Sequence, residues 1–294
     1  MWRALPSSAL EESVMSGKIR LKAGFLSLLI FALFLGVWHL ATLPTHTVLP
    51  NGADAEYAAL MGGGQDKNAG FPPPEKVGKA IIGYLADPFY DHGPNDKGVG
   101  LQLAYSLGRV GMGFGLAVLV ALPLGFAIGM SPLLYQALNP FIQVLKPISP
   151  LAWMPLALYS LKDSTISAIF VIFICSIWPM LINTAFGVAA VRRDWINVAR
   201  TLEVSPLRKA LLVILPAAAP TILTGMRISM GIAWLVIVAA EMLVGGTGIG
   251  YFVWNEWNNL ALPNVIFAVA VIGVVGMILD ILFGWLQKLV TYQE

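Results

Sequence analysis

Charged side chains are scarce in this sequence, so those that fall in apolar surroundings are the first candidates for chemistry. Arg109, Lys146, Arg227, Glu241 and Asp280 lie within or at the ends of long apolar runs. An ionisable group at membrane depth is costly, and its ordinary outcome is to snorkel to an interface or to pair with a neighbour. Arg109 and Glu241 carry a sharper alternative. An anion crossing a low-dielectric pore needs a compensating charge, so Arg109 is a candidate substrate-pathway contact, with Glu241 as its partner or as the partner of a gate residue.

A second polar concentration is "VARTLEVSPLRKALLVILP", Val198 to Pro216, set in an otherwise apolar chain. Asp194 is expected to cap a helix through "WINVARTLE". Ser205 as N-cap and Pro206 at the first helical position then start another, expected to end at Leu215-Pro216. The two helices carry Arg200, Arg208 and Lys209 on one side and Val198, Leu202, Leu207 and Leu211 on the other, a shape suited to docking on a partner. A merely solvated loop fits less well, because a connection of this length with its own caps is usually functional. Recognition of nucleic acid fits least, because the element sits between membrane spans with no separate soluble domain.

Composition accounts for the rest of the chain. With 57% hydrophobic and 12% charged residues, against roughly 25% charged in soluble proteins, this is a membrane protein in contact with lipid. Spans of about 20 apolar residues are expected at 23–43, 106–130, 140–161, 164–186, 221–243 and 265–287. The first is too long for a signal-peptide core and is expected to be a retained anchor. Lys and Arg mark cytoplasmic flanks. Arg192, Arg193, Arg200, Arg208 and Lys209 crowd the 187–220 loop, whereas 244–264 has neither residue type. This predicts a cytoplasmic tail at 1–22, an outside segment at 44–105, a five-span core at 106–288 with the 187–220 loop inside, and a cytoplasmic end at 289–294.

Within the outside segment, the prolines of "FPPPEKVGKAIIGYL" are expected to open an amphipathic helix with Val77, Ile81 and Ile82 on one face. Pro140, Pro147, Pro150 and Pro155 predict a broken third span, and broken helices line pathways. Gly111 with Gly115, and Gly273 with Gly276, are expected packing positions. Trp254 and Trp257 fit an interfacial belt. Cys175, the one cysteine, reads as a buried structural thiol.

No G-x-x-x-x-G-K-[ST] phosphate loop occurs. The run "GGTGIG" at 245–250 lacks the lysine and is expected to form a tight turn. His39, His46 and His92 make no catalytic set with carboxylates inside the spans, and no metal or cofactor is expected. A membrane enzyme or an autonomous secondary carrier remains the rival class. Against a carrier stand the lack of an evident internal repeat and the presence of only one deep carboxylate, Asp280.

The register Asn197-Val198-Ala199, three residues, Glu203, nine residues, Val213-Ile214-Leu215-Pro216 resembles the cytoplasmic signature E-A-A-x3-G-x9-I-x-L-P. That signature belongs to permease subunits of ABC importers that work with a soluble binding protein. Asn197 stands where the signature has Glu, and Glu203 where it has Gly. The stretches "GPNDKGVGLQLAYSLGRVGMGF", "LKPISPLAWMPLALYSLKDSTISAIFVIFICSIWPMLINTAFGV" and "GIAWLVIVAAEMLVGGTGIGYFVWNEWNNL" resemble the nitrate, sulfonate and taurine branch, and nitrate permeases above all.

The resemblance implies an all-α type I importer permease with six transmembrane helices in a bacterial inner membrane, forming a homodimer around a shared pore. It implies ATP-binding subunits and a periplasmic or lipid-anchored substrate-binding protein as partners. Asn197, Val198, Ala199, Arg200, Leu202, Glu203, Leu207, Arg208, Leu215 and Pro216 would then form the ATPase-coupling element. Nitrate is the expected cargo, with bicarbonate, cyanate and sulfonate or taurine as alternatives.

Overall fold

The computed structural model describes residues 7–43, 71–93 and 96–290. The Gly-rich stretch at 51–70, His46, Lys67 and the last four residues of the expected cytoplasmic end lie outside the described residues. The chain divides into two compact units, Met1–Ile81 and Ile82–Glu294.

In the first unit, α1 runs Ser7–Ala41, and its segment Leu21–Ala41 is long and apolar enough to cross a membrane. No residue of the most apolar window of this segment is buried. Near its end the Trp38 indole donates to the Pro72 carbonyl at 3.0 Å and lies 5.6 Å from the Phe71 ring. α2, Pro74–Ala86, starts at the proline run as expected. Val77 is buried, but Ile82 is 72% exposed. The expected common face of Val77, Ile81 and Ile82 is corrected to one that excludes Ile82: residues one apart on a helix are separated by about 100°.

The second unit contains α3 (Val99–Met130), α4 (Pro132–Leu145), α5 (Pro150–Leu161), α6 (Ser164–Ala189), α7 (Arg193–Thr201) and α8 (Pro206–Lys209). It continues with α9 (Leu215–Val244), α10 (Ile249–Asn258) and α11 (Leu262–Val290). α6 is the central helix, packed between α3 and α9. Close approach comes from glycines: a Cβ at Gly113 would stand 2.7 Å from Ile172, at Gly125 2.8 Å from the Leu181 carbonyl, and at Gly129 2.5 Å from the Ala185 carbonyl. Small residues admit backbone-to-backbone contact of this kind. The pair Gly111 and Gly115, expected to serve that purpose, has nothing within 4 Å. Both lie on another side of α3 from Gly113, so the packing role is corrected to the Gly113 face.

Among the described residues, five helical segments are long and apolar enough to span a membrane, or six if α4 and α5 count as one. That pair is bent by 93°, so the proline-rich third span is broken. Pro147 lies in the break and Pro150 opens α5, where its fixed φ and missing N–H are tolerated. Ser149 accepts from the Leu151 amide as N-cap.

Candidate functional site

Two constructions draw together the residues expected to act. The first is the turn after α6. α7 runs Arg193–Thr201 with Arg192, not Asp194, at the N-cap. Asp194 sits in the first turn, where its charge favours the helix N-terminus without capping it. α7 ends with Glu203 in the left-handed region, φ 51°. The Glu203 amide donates to the Arg200 carbonyl and the Val204 amide to the Ala199 carbonyl, both at 3.0 Å. This is a Schellman closure, whose left-handed position favours glycine. Glu203 occupies the place where the signature has Gly, so the replacement leaves the turn intact.

Ser205 and Pro206 then start α8 as expected, although the Ser205 hydroxyl makes no capping bond. The expected end of this helix at Leu215-Pro216 is corrected. The chain passes through a π-helical turn, Ala210–Ile214, directly into α9, giving one helical run Pro206–Val244. Proline has no N–H and its ring crowds the carbonyl four residues back. A single wide π turn before Pro216 accommodates both without breaking the helix.

α7, α8 and the turns beside them form a knob, residues 193–211, in which only Ala199 is buried, while Val198, Leu202, Leu207 and Leu211 are 59%, 71%, 70% and 52% exposed. Asn197, Arg200 and Arg208 are exposed as well, as are Leu215 and Pro216 at the start of α9. Beneath the knob Val188, Val191, Ile214, Ala218 and Ile222 form a buried cluster that fixes it to α6 and α9.

The second construction is a polar cradle at the other end of α9. Gln102, Ser106 and Arg109 stand four and three residues apart, hence on one face of α3, and they meet Glu241 near the end of α9. The Arg109 Nη1 donates to Glu241 Oε1 at 2.7 Å and to the Thr247 carbonyl at 2.6 Å. The Ser106 hydroxyl lies 2.8 Å from Glu241 Oε2. Three amides at the start of α10 point into the same group: Gly248 donates to Gln102 Oε1, Ile249 to Ser106 Oγ and Gly250 to Glu241 Oε2. These are the amides a helix start leaves without partners, and a carboxylate there is favoured by the helix dipole.

Glu241 is 2% exposed. Side chains are excluded at the two glycines, because a Cβ at Gly248 would stand 2.2 Å from Glu241 Cδ and one at Gly250 2.2 Å from the Val238 carbonyl. The expected tight turn of "GGTGIG" is therefore also a close approach of backbone to carboxylate. Gln102 and Ser106 were missed from the sequence, although a polar stripe at four-residue spacing on an apolar helix is a readable signal.

Beyond Gln102 lies a polar cavity of about 200 Å³ lined by Tyr84, Tyr90, Asp96, Tyr251 and Glu256 among others. Burial, followed by the nearby carboxylate charges of Glu256 and Asp96, pushes the Tyr84 phenol up to about 12. Burial and a hydrogen bond to Asp96 do the same for Tyr90. Both shifts favour the neutral phenol.

Arg227 and Asp280 also pair, whereas Lys146 is exposed at the end of α4. Arg227 Nε donates to Asp280 Oδ1 at 2.6 Å. Trp234 is buried and its indole donates to the Ile272 carbonyl, so it belongs to the core. Gly276 packs against it, with a Cβ position 3.2 Å from the indole, while Gly273 has nothing within 4 Å. Trp254 and Trp257 are exposed on α10. Cys175 is only half-buried.

Residues 117–292 match the family described as binding-protein-dependent transport system inner membrane component. Over 228 residues the chain is 44% identical to the nitrate import permease protein NrtB of Synechocystis, covering 78% of this chain and 83% of that protein. It is 46% identical over 208 residues to the bicarbonate transport system permease protein CmpB of the same organism, covering 70% and 74%. Among solved structures, the fold is similar to an inward-facing MetNI methionine ABC transporter, with a TM-score of 0.59 at 13% identity over 66% of this chain and 96% of the other. The chain is therefore an all-α, multi-pass membrane protein and belongs to the binding-protein-dependent permeases of ABC importers.

Proposed function

We propose that this permease forms the membrane pathway for a small planar oxyanion, nitrate, in an importer driven by separate ATP-binding subunits and supplied by a substrate-binding protein. The observation that carries the cargo assignment is the 44% identity to a nitrate import permease along 83% of that relative's length. Bicarbonate is the second reading, favoured by the 46% identity to a bicarbonate permease over a shorter stretch. Both ions are trigonal, planar and anionic, so one pathway chemistry serves either.

The subunit functions as a homodimer in the bacterial inner membrane with both termini in the cytoplasm, and its lipid-facing surface includes α1. The distribution of Lys and Arg supports this sidedness: five cluster at 192–209 and none falls in 244–264. The knob of α7 and α8 then lies on the side where ATP is available. Residues 197–211 contact the ATP-binding subunit, with Leu215 and Pro216 joining that contact to α9. The Arg109–Glu241 cradle lies at the outer end, where it sets the loop that meets incoming substrate.

The test is ¹⁵N-nitrate uptake by vesicles holding the assembled importer and its binding protein, with ATP, without ATP and with a non-hydrolysable analogue. ATP-dependent uptake competed by excess nitrate is the expected result. Uptake without hydrolysis would make the chain a secondary carrier, and ATP-driven uptake of bicarbonate but not nitrate would transfer the assignment to the second reading.

A further inference from the structure

Glu256 on α10 is a buried carboxylate without a counter-charge. It is 9% exposed, and its Oε2 accepts from the Asn264 side-chain amide at 2.7 Å. Among the described residues Oε1 has no donor, and no Lys, Arg or His pairs with the group. Glu241, also buried, has Arg109, Ser106 and the Gly250 amide. Buried charges are as a rule paired or ligated, so Glu256 is the exception that calls for a partner.

The carboxylate lines the polar cavity beyond Gln102, and Tyr84, Tyr90, Tyr251 and Phe252 line it as well. Tyr84 is locked in place. Its ring stacks on Phe267 at 5.2 Å and meets Phe252 edge-on at 5.3 Å, and its hydroxyl accepts from the same Asn264 amide that serves Glu256. The one lysine in the lining, Lys97, is taken up by Asp91. Asp96, the second lining carboxylate, is largely exposed and lies 3.6 Å from His92. Glu256 is thus the uncompensated charge inside.

Aromatic rings beside a carboxylate with nothing to neutralise it are the recognition elements of an organic cation. The volume of about 200 Å³ equals that of roughly six waters, room for an ammonium or guanidinium head with part of its stem. A metal ion fits less well. Among the described residues no three His, Cys, Asp or Glu groups converge to hold one, and hard divalent cations gather six or more oxygens.

We propose that this cavity is a binding site for an organic cation, an ammonium or guanidinium group held by Glu256 among the rings of Tyr84, Tyr90 and Tyr251. The group has two sources, a free small amine or a lysine or arginine of the substrate-binding protein. The second source rests on the function and sidedness proposed above, which bring that protein to this end of α10. Gln102 belongs to the same lining, and its Oε1 accepts from the Gly248 amide. The occupant therefore sits against the loop that the Arg109–Glu241 pair fixes.

The experiment uses the complete permease–ATPase complex in non-ionic detergent at constant ionic strength, with n-butylammonium and methylguanidinium as probes. Binding is read from saturation transfer to the probe resonances. Three forms are compared: unaltered, Glu256→Gln and Asn259→Lys. Glutamine keeps an oxygen for Asn264 and removes the charge. Asn259 is exposed, lines the cavity and follows Glu256 by three residues, so a lysine there supplies a tethered ammonium without disturbing the core. The unaltered complex is expected to bind both probes saturably. Each variant is expected to weaken that binding about tenfold or more, the scale of one lost charge-assisted contact.

No saturable binding by the unaltered complex would overturn the proposal, as would undiminished binding by either variant. Should Glu256→Gln fail to assemble with the ATPase, Asn259→Lys decides alone. Binding protein is then added to the probe-loaded unaltered complex. Displacement of the probe assigns the cation to a side chain of that protein, and simultaneous binding of both assigns it to a free amine; either result supports the site. Absence of ATP-driven uptake would overturn the proposed function while leaving probe binding as it was, so the two failures are told apart.

Discussion

Arg109 on α3 and Glu241 on α9 are 132 positions apart in sequence and joined by a 2.7 Å hydrogen-bonded ion pair. The pair anchors the chain that follows it. The Arg109 nitrogen also holds the Thr247 carbonyl, and the carboxylate also holds the Gly250 amide. The charge that Arg109 was expected to present to a passing anion is thus met by a carboxylate, and its geometric effect falls on the loop 245–248 and the start of α10.

Replacing Arg109 by Ala is expected to leave a buried carboxylate without its counter-charge, at a cost of about 3–5 kcal/mol. Adding Glu241→Gln removes the charge while keeping a group that can accept from Gly250 and Ser106, and at least half of the loss should return. Thermal unfolding of the solubilised complex measures both steps. If Arg109 acts through Glu241, uptake recovers with stability in the double variant. Stability regained with uptake still absent would mark Arg109 as a direct pathway contact.

Much of this was legible in the sequence because bilayer physics writes in long apolar runs and in the placement of Lys and Arg. The spans, the broken proline-rich segment and the polar knob all follow from composition and spacing. Tertiary partners were less accessible. That Arg109 would find Glu241 was one of several options, and Gln102 and Ser106 acquire meaning only when the amides of 248–250 arrive opposite them. The uninterrupted helix through Pro216 was missed for a local reason: a proline normally reads as a terminator, and the π turn that absorbs it leaves no composition signal. Likewise Asp194 is a good capping residue by type, but Arg192 takes the cap because the chain enters the helix two residues earlier.

Glu203→Gly is expected to stabilise the α7–α8 turn. The position sits at φ 51°, where a non-glycine residue costs about 1–2 kcal/mol. Greater freedom of glycine in the unfolded chain returns part of that, so a net gain of about 0.5–1 kcal/mol is expected. A raised unfolding temperature with unchanged ATPase copurification is the expected result. A lowered one would show that the Glu203 carboxylate makes a contact worth more than the backbone strain it imposes.

The proposed sidedness is open to a labelling test. With the single native cysteine, Cys175, replaced by Ser, new cysteines at Gly63 and Ser205 are expected to react with a membrane-impermeant reagent from opposite sides. The first should label in intact cells and the second only in inverted vesicles. Labelling of both from outside would reverse the placement of the knob and remove it from contact with any cytoplasmic ATPase.

Leu202→Asp is expected to separate the ATPase from the permease while leaving the membrane helices intact. Leu202 follows α7 directly and is 71% exposed, and Val198 and Leu207 beside it are 59% and 70% exposed. Among the described residues nothing covers this apolar face, so the change costs the isolated fold little. In a complex the same position would be enclosed by the partner. A carboxylate there must be desolvated without a counter-charge, which costs several kcal/mol, and every 1.4 kcal/mol lowers association tenfold. The buried cluster of Val188, Val191, Ile214, Ala218 and Ile222 that anchors the knob is untouched, so expression and membrane insertion should match the unaltered chain. Copurification of the ATP-binding subunit and ATP-driven uptake should fall together, by at least tenfold. Normal recovery of the ATPase with normal uptake would show that 197–211 is a solvated connection and that the contact lies elsewhere.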